Sequence, residues 1–320
     1  MKLKFIIIGL CAFFISSVCV FSSKVTIPFH DMGVTYNGLH KKTNPNGQDI
    51  TNDLNSIKSS GFLSLRSYYP QYSGSIALMP LAEKAGLKTL LSLFMFPDHL
   101  NDWVPDNYKN YIKPYLSGNS GNLLGVLVGN EDIDTSSAVY NAIIKYLKQV
   151  KSDNTKVAVS TAQTTDFWLN DARAASVSGL CDFIAVNIYP AFEWNSPDAK
   201  NQPQLNYVSL TPAQGLTSFI EQYDKIKKKY SKMQIVVTET GWPTTYGWVV
   251  NAPVVKQYQI GINNAQKYFT QISTWAKANK VNVYYYSMFD DWYGVNTTSQ
   301  FNFHFGRLDT DGNKKKADSI

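Results

Sequence analysis

Eight short apolar runs punctuate the chain, each separated from the next by a longer stretch with helical spacing. The runs predict strands over Met32–Tyr36, Phe62–Tyr68, Lys88–Phe94, Leu123–Val128, Lys156–Ser160, Phe183–Tyr189, Gln234–Thr238 and Asn282–Phe289. Most are continuous rather than alternating, as expected of parallel strands covered on both faces. Between them apolar residues recur at three- and four-residue intervals: Ile50, Leu54 and Ile57; Val139, Ile143 and Leu147; Leu216, Phe219, Ile220 and Tyr223; Ile272, Trp275 and Ala276. That spacing places each set on one face of a helix. Gly61 and Gly86 stand where two of these helices should stop, because glycine accepts the left-handed conformation that closes a helix. Eight strands alternating with helices predict an α/β fold, a (β/α)8 TIM barrel in a single domain. A doubly wound open sheet is the competing architecture. It usually needs fewer strands, and no G-x-G-x-x-G follows the first run.

Composition narrows the class. Hydrophobic residues make up 44% of 320, enough for a large core, and no linker or compositional break divides the chain after residue 28. One domain over 28–320 is the simplest reading. Residues 1–22 read as a signal peptide: Lys2 and Lys4 precede an apolar run from Phe5 to Phe21, and Val20 and Ser22 suit cleavage after Ser22. A retained membrane anchor is the rival, but the run is short for a span. The expected destination is outside the cell or in the cell wall, or the periplasm of a Gram-negative source, with no membrane association once the signal is removed. Cys11 and Cys19 would leave with the signal, so Cys181 remains alone and is expected to be a small buried residue.

The net charge of +6 comes with no long basic block, which gives no argument for nucleic acid as a partner. His30, His40, His99 and His304 lack metal-ligand spacing, and neither a G-x-S-x-G elbow nor a phosphate loop is present. No metal and no cofactor are therefore expected, and monomer is the default state. His99, beside Asp98, is expected to cap the helix that follows. Asn296-Thr297-Thr298 has the form of a glycosylation sequon, and Asp309 with Asp311 reads as an exposed turn.

In a barrel of this kind chemistry sits at the C-terminal ends of the strands. Glu131 follows the fourth predicted strand and Glu239 the seventh, nearly across the ring from each other. Two carboxylates facing one bond suit glycoside hydrolysis, where one protonates the leaving oxygen and the other attacks the anomeric carbon. Retaining enzymes hold the pair about 5–5.5 Å apart. The charge of Glu239 would raise the pKa of Glu131, as a general acid needs. Arg66, a cation inside apolar strand text, is a candidate for keeping Glu239 ionised; a surface ion pair is its ordinary alternative. Trp103, Trp168, Trp194, Trp242, Trp248 and Trp292 all fall near segments that follow strands, whereas Trp275 lies in a helical pattern. Sugar C–H faces stack on such rings, although loop packing explains any one of them equally well.

The segments around these residues resemble a known family. VLVGNEDID (126–134) and IVVTETGWPTTYG (235–247) are similar to the two signatures of glycoside hydrolase family 17, the β-1,3-glucanases and β-1,3-glucanosyltransferases of a retaining barrel clan. GVTYN (33–37), LRSYYP (65–70), VNIYPAF (186–192) and YYYSMFDDWYG (284–294) resemble the family's first, second, sixth and eighth strand motifs, and FGRLDTDGNKK (305–315) its ending. The resemblance implies Glu131 as acid/base, Glu239 as nucleophile, Asn130 on the sugar 2-hydroxyl and Tyr189 donating to the nucleophile. It implies Tyr36, Arg66, Tyr68, Trp242, Asp290 and Trp292 as further substrate-binding residues. The eighth-strand segment departs from the pattern: many members carry Glu at the positions of Ser287 and Asp291, and a Lys soon after the tryptophan, where Tyr293 stands here. The implied activity is secreted, retaining hydrolysis of β-1,3-glucan, polymer or oligosaccharide, through a glycosyl-enzyme intermediate. Glucanosyl transfer is the alternative. An inactive glycan-binding protein would keep the tryptophans and lose a carboxylate, and both glutamates are present.

Overall fold

Residues 24–41, 44–117, 121–154, 156–190, 210–244, 259–292 and 303–315 are described by a computed structural model of the chain. The signal sequence expected over residues 1–22, the sequon at Asn296, and Trp194, Trp248 and Tyr293 lie outside them. In chain order the elements are β1 (Gly33–Tyr36), α1 (Gly47–Ser59), β2 (Ser64–Ser67), a hairpin of β3 (Gln71–Tyr72) and β4 (Ile76–Ala77), α2 (Leu78–Lys84), β5 (Lys88–Leu93), α3 (Trp103–Asn107), β6 (Leu123–Asn130), α4 (Ser137–Asp153), β7 (Ala158–Thr164), α5 (Thr165–Asn170), α6 (Ala174–Leu180), β8 (Phe183–Asn187), α7 (Pro212–Lys229), β9 (Gln234–Thr240), α8 (Ile262–Asn279) and β10 (Asn282–Tyr285). Eight of the strands close a barrel in the order β1-β10-β9-β8-β7-β6-β5-β2, and every neighbouring pair is parallel. This is the (β/α)8 barrel the apolar pattern predicts, and each predicted strand overlaps a barrel strand. The β3–β4 hairpin was not predicted, since its two-residue strands are too short to carry a period.

Local chemistry sets the element ends. Asn46 starts α1 with a capping box: its side chain accepts from the amides of Gln48 and Asp49, and the Asp49 carboxylate accepts from the Asn46 amide. Thr211 and Gln214 repeat the device at α7, with Pro212 in the first turn. Gly61 and Gly86 adopt φ +90 and +68, and Phe62 and Leu87 return their amides to Ile57 and Ala82. These are left-handed helix stops at the positions read from sequence.

Two apolar layers follow from this arrangement. Helices pack outside the barrel on the outward residues of the strands. Inside, Leu90, Leu127, Ala162, Phe183, Val236 and Tyr284 fill the lower half, with Ile27 among them. The segment before β1 plugs the N-terminal mouth: the Gln234 side chain accepts from the Ile27 amide at 2.8 Å and donates to its carbonyl at 2.7 Å. The lower interior is thus mainly apolar, with a buried polar group where His30 meets Ser64, Tyr284 and Asn282. Cys181 is buried, and among the described residues no helix is long and apolar enough to cross a membrane.

The C-terminal segment is strapped across the ends of β9 and β10. Arg307 and Leu308 donate their amides to Ser287 and Met288. Lys315 Nζ donates to Asp290 Oδ1 and to Thr244 Oγ1, each at 2.6 Å, and the Gly306 amide donates to the same Asp290 oxygen at 2.8 Å. Gly306 is required there, since a Cβ would fall 2.2 Å from the Asp290 nitrogen. Both members of the Asp290–Lys315 pair are buried, and removing one charge leaves the other without compensation. Asp290→Ala should therefore lose about 3–5 kcal/mol in urea unfolding. The double change Asp290→Ala with Lys315→Met should recover most of that loss.

Candidate active site

β6 and β9 carry the two glutamates, and both strands are irregular where the glutamates arise. The β6–β7 register slips between Leu127 and Asn130, and the β9 register slips against β8 between Val237 and Glu239 and against β10 between Val237 and Thr240. A bulge turns the following side chain off the regular alternation, which here points it at the mouth. Gly129 makes the β6 turn at φ +79, where a Cβ would lie 2.6 Å from Asp132 Oδ1. Glu131 itself has φ +53, an uncommon conformation for a residue with a side chain.

Glu239 is buried and ringed by donors. Arg66 Nη1 lies 2.5 Å and the Tyr68 hydroxyl 2.7 Å from Oε1, while the Tyr189 hydroxyl donates to Oε2 at 2.7 Å. Arg66 is fully buried, and its guanidinium lies 3.9 Å from the Tyr68 ring centre. Burial, foremost, pushes the Tyr68 and Tyr189 hydroxyls well above their ordinary pKa, so they stay protonated and donate.

The same guanidinium reaches the other glutamate through two amides. Arg66 Nη2 donates to Asn130 Oδ1 at 2.8 Å. Asn187 Nδ2 donates to that oxygen at 3.1 Å and to Glu131 Oε1 at 2.7 Å. Thr238 Oγ1 donates to Asn187 Oδ1 at 2.7 Å. An unbroken hydrogen-bonded path thus runs Glu239–Arg66–Asn130–Asn187–Glu131, and Asn130 keeps its amide nitrogen for a further acceptor. Glu131 is exposed at the mouth, yet the cleft walls around it act as burial and, with the charge of Glu239, push its pKa to about 7; the Asn187 hydrogen bond opposes the rise. Water at the exposed carboxyl screens part of this effect, and a glycan lying over it would remove that screening.

The eighth-strand wall joins this cluster edge-on. The Tyr286 ring meets Tyr68, Tyr189 and Phe305 at centroid distances of 6.4, 6.2 and 5.6 Å. Its hydroxyl donates to Asp291 Oδ2 at 3.3 Å, and Asn37 Nδ2 donates to Asp291 Oδ1. Burial pushes Asp291 to about 6. Ser287 Oγ donates to the Phe289 carbonyl at 2.7 Å. At the ends of β2 and β5, Tyr69, Phe94, Phe96 and Trp103 form a half-buried aromatic group, with Phe96 stacked on Tyr69 and edge-on to Trp103.

Of the residues expected in the site, the structure brings together Glu131, Glu239, Arg66, Tyr68, Asn130 and Tyr189. It removes three. Tyr36 points outwards from β1 and donates its hydroxyl to Asp53 at 2.8 Å, so its ring is core. Trp242 is fully buried against Tyr268, with its indole N–H on the Gln259 carbonyl, leaving no face for a sugar. Asp290 is committed to Lys315 and Gly306 in the C-terminal strap. Trp168 is likewise fully buried, donating to the Ala185 carbonyl, so mouth-side tryptophan text overstated the number of available rings. Trp292 is half-buried beside Asp291, with its amide on the Leu39 carbonyl. His99 does not cap α3: Asp102 does, accepting from the Trp103 amide while it pairs with His99. The sequence reading missed Asn187 and Thr238. The signal was available, since Asn187 is a polar residue ending the apolar run Phe183–Val186, the criterion that singled out Glu131.

Known proteins resemble this chain in sequence and in fold. A family model for the BtgE/BtgC glycoside hydrolase domain matches residues 33–306. A glucan 1,3-beta-glucosidase of Arthroderma benhamiae is 25% identical over 256 residues, 77% of this chain and 76% of that protein. A glucan endo-1,3-beta-glucosidase of Vitis vinifera is 25% identical over 340 aligned positions, 93% of each chain. Among solved structures, a family 17 beta-1,3-glucanosyltransferase from Rhizomucor miehei superposes with a TM-score of 0.68 at 22% identity, covering 89% of this chain and 95% of that one. An endo-laminarinase from Formosa reaches 0.69 at 14% identity, covering 88% and 84%. The barrel is common to these structures, and the match over residues 33–306 places this chain in the BtgE/BtgC glycoside hydrolase family, as a family 17-like glycosidase.

Proposed function

We propose that this glycosidase cleaves β-1,3-glucan with retention of configuration, Glu239 serving as nucleophile and Glu131 as acid/base. The observation that carries the reading is the opposed setting of the two carboxyls. Glu239 meets three donors, one of them a buried guanidinium, whereas Glu131 is pushed towards its neutral form near pH 7. Environments that separate two carboxyls in this way assign the acid and the nucleophile. The names of the glucan 1,3-beta-glucosidases that the chain resembles support the linkage. The leader-like first 22 residues support export to where polymeric glucan is met.

In the first step Glu239 attacks the anomeric carbon. Oε2 is suited to this, since it accepts one hydrogen bond and Oε1 accepts two. The C–O bond breaks as the Glu131 proton passes to the leaving oxygen. Asn130, its carbonyl oxygen held by Arg66 and Asn187, presents its amide N–H to the sugar 2-hydroxyl, a bond that strengthens in the transition state. In the second step Glu131, now a carboxylate, takes a proton from water, which attacks the same carbon and releases Glu239. The aromatic group of Tyr69, Phe94, Phe96 and Trp103 lies along the same rim and suits sugar C–H faces further along the chain. Transfer to a second glucan differs only in the acceptor that replaces water.

Glu131→Ala should lose about 10²–10⁴-fold on laminari-oligosaccharides, the range of a general acid. With azide it should form a glycosyl azide of retained configuration. Glu239→Ala with azide should give the inverted anomer. If the two variants yield the same anomer, the roles assigned here are wrong. Because Glu131 must be protonated in the first step, kcat/KM should fall as pH rises through about 7, read from a rate profile on laminari-oligosaccharides. Incubating the enzyme with those oligosaccharides separates the two outcomes: products longer than the substrate mean transfer, and only shorter ones mean hydrolysis.

A further inference from the structure

The hydrogen-bonded path between the carboxylates has a direction. A guanidinium carries donors only, so Asn130 must turn its carbonyl oxygen to Arg66. That oxygen then needs a donor from Asn187, so Asn187 must turn its amide nitrogen to Asn130 and Glu131. The Asn187 carbonyl is left for Thr238, whose hydroxyl supplies the matching donor at 2.7 Å. A flipped Asn187 would set its carbonyl against that of Asn130, whereas the Thr238 hydroxyl can accept as well as donate, so the direction is set from Arg66 through Asn130 and Thr238 holds the amide in place. Asn187 and Thr238 are both buried, so no solvent makes up the difference.

We infer that Asn187, aligned by Thr238, is a positioning residue that fixes which oxygen of Glu131 carries the catalytic proton. Oε1 is always met by the Asn187 N–H, 2.7 Å away. The proton therefore sits on Oε2, and Oε2 is the atom that protonates the leaving oxygen and later takes the proton from water. The inference rests on Glu131 being the acid/base. It adds that the acid is aimed by side chains that do not hydrogen-bond to the Glu239 carboxyl, although Arg66 holds that carboxyl and, through Asn130, sets the direction of Asn187.

The test uses two substrates. A laminari-oligosaccharide has a poor leaving group and needs the acid, whereas a dinitrophenyl β-laminaribioside does not. Asn187→Ala should lower kcat/KM on the oligosaccharide about 10²-fold, as for a misplaced catalytic group, and lower it far less on the activated glycoside. Asn130 keeps its Arg66 bond and loses the Asn187 donor in that variant, so any weakening of the sugar contact falls on both substrates alike and the role of Asn187 at the acid is read from the difference between them. Thr238→Val should show the same split with a smaller loss, and Thr238→Ser, which restores the hydroxyl, should recover it. Losing the donor to Glu131 should also move the basic limb of the oligosaccharide profile to higher pH in Asn187→Ala. Equal losses on both substrates, or an unmoved basic limb, overturn the inference, and the Thr238 pair decides it if Asn187→Ala does not fold. Glu131→Ala run alongside separates the two levels. If that variant shows no split, the acid/base assignment itself fails; if it splits and the Asn187 and Thr238 variants do not, only the positioning role fails.

Discussion

Burying a guanidinium inside the barrel is the constraint around which the site is organised. Arg66 is fully buried, and a buried cation is costly unless its charge is paired and most of its N–H groups are met by partners. Nη1 takes the Glu239 carboxylate and Nη2 the Asn130 carbonyl, while the plane lies over the Tyr68 ring. Nε has no hydrogen-bond partner among the described residues. The charge is thus compensated towards the C-terminal mouth, so burial of the cation and the placing of the Glu239 carboxyl become one requirement. The apolar cluster of Leu90, Leu127, Phe183 and Tyr284 fills the barrel interior below, and Arg66 is 0% exposed.

That one cation also orders the uncharged groups. Amides and hydroxyls can present either a donor or an acceptor, and the choice is made wherever a neighbour has only one option. Arg66 has only donors, so the orientation of Asn130 follows, then that of Asn187, then that of Thr238. Opposite environments for two chemically identical side chains are the result. Glu239 is held among donors in the interior, and Glu131 stands exposed on a strained turn with a single amide against it. The bulges in β6 and β9 make this geometry reachable, because regular strands would send alternate residues to opposite faces.

The barrel was legible because continuous apolar runs and helical spacing are local signals, and all eight strands carry them. Arg66 was legible because a charge inside apolar strand text is uncommon; a lone Glu after a strand is often an ordinary loop acid, so Glu131 and Glu239 stood out only through their places after the fourth and seventh strands and the motif-like segments around them. The direction of Tyr36, Trp242 and Asp290 was not legible. Each lies within a segment similar to a family motif, but which face a side chain takes near a strand end depends on bulges and on partners remote in sequence, such as Asp53 for Tyr36 and Lys315 for Asp290. Asn187 and Thr238 were overlooked for a different reason. Uncharged groups gain a role only through the hydrogen bonds around them, and those bonds join strands that are far apart in the chain.

The eighth-strand wall shows how a departure from a motif is absorbed. An acid shorter than the family's glutamate occupies position 291, and its carboxylate is met by Asn37 from beyond β1 and by the Tyr286 hydroxyl. The hydroxyl at 287 is turned inwards to the Phe289 carbonyl. Both polar groups therefore serve the protein, tying the end of β10 to the β1 loop and to its own turn. What remains of the wall beside Glu239 is the ring of Tyr286, packed edge-on to Tyr68, Tyr189 and Phe305. Two of these tyrosines, Tyr68 and Tyr189, hydrogen-bond to Glu239, and Phe305 belongs to the segment strapped down by Lys315. The C-terminal strap is accordingly part of the site's architecture: through Phe305 it backs the rings whose hydroxyls fix Glu239.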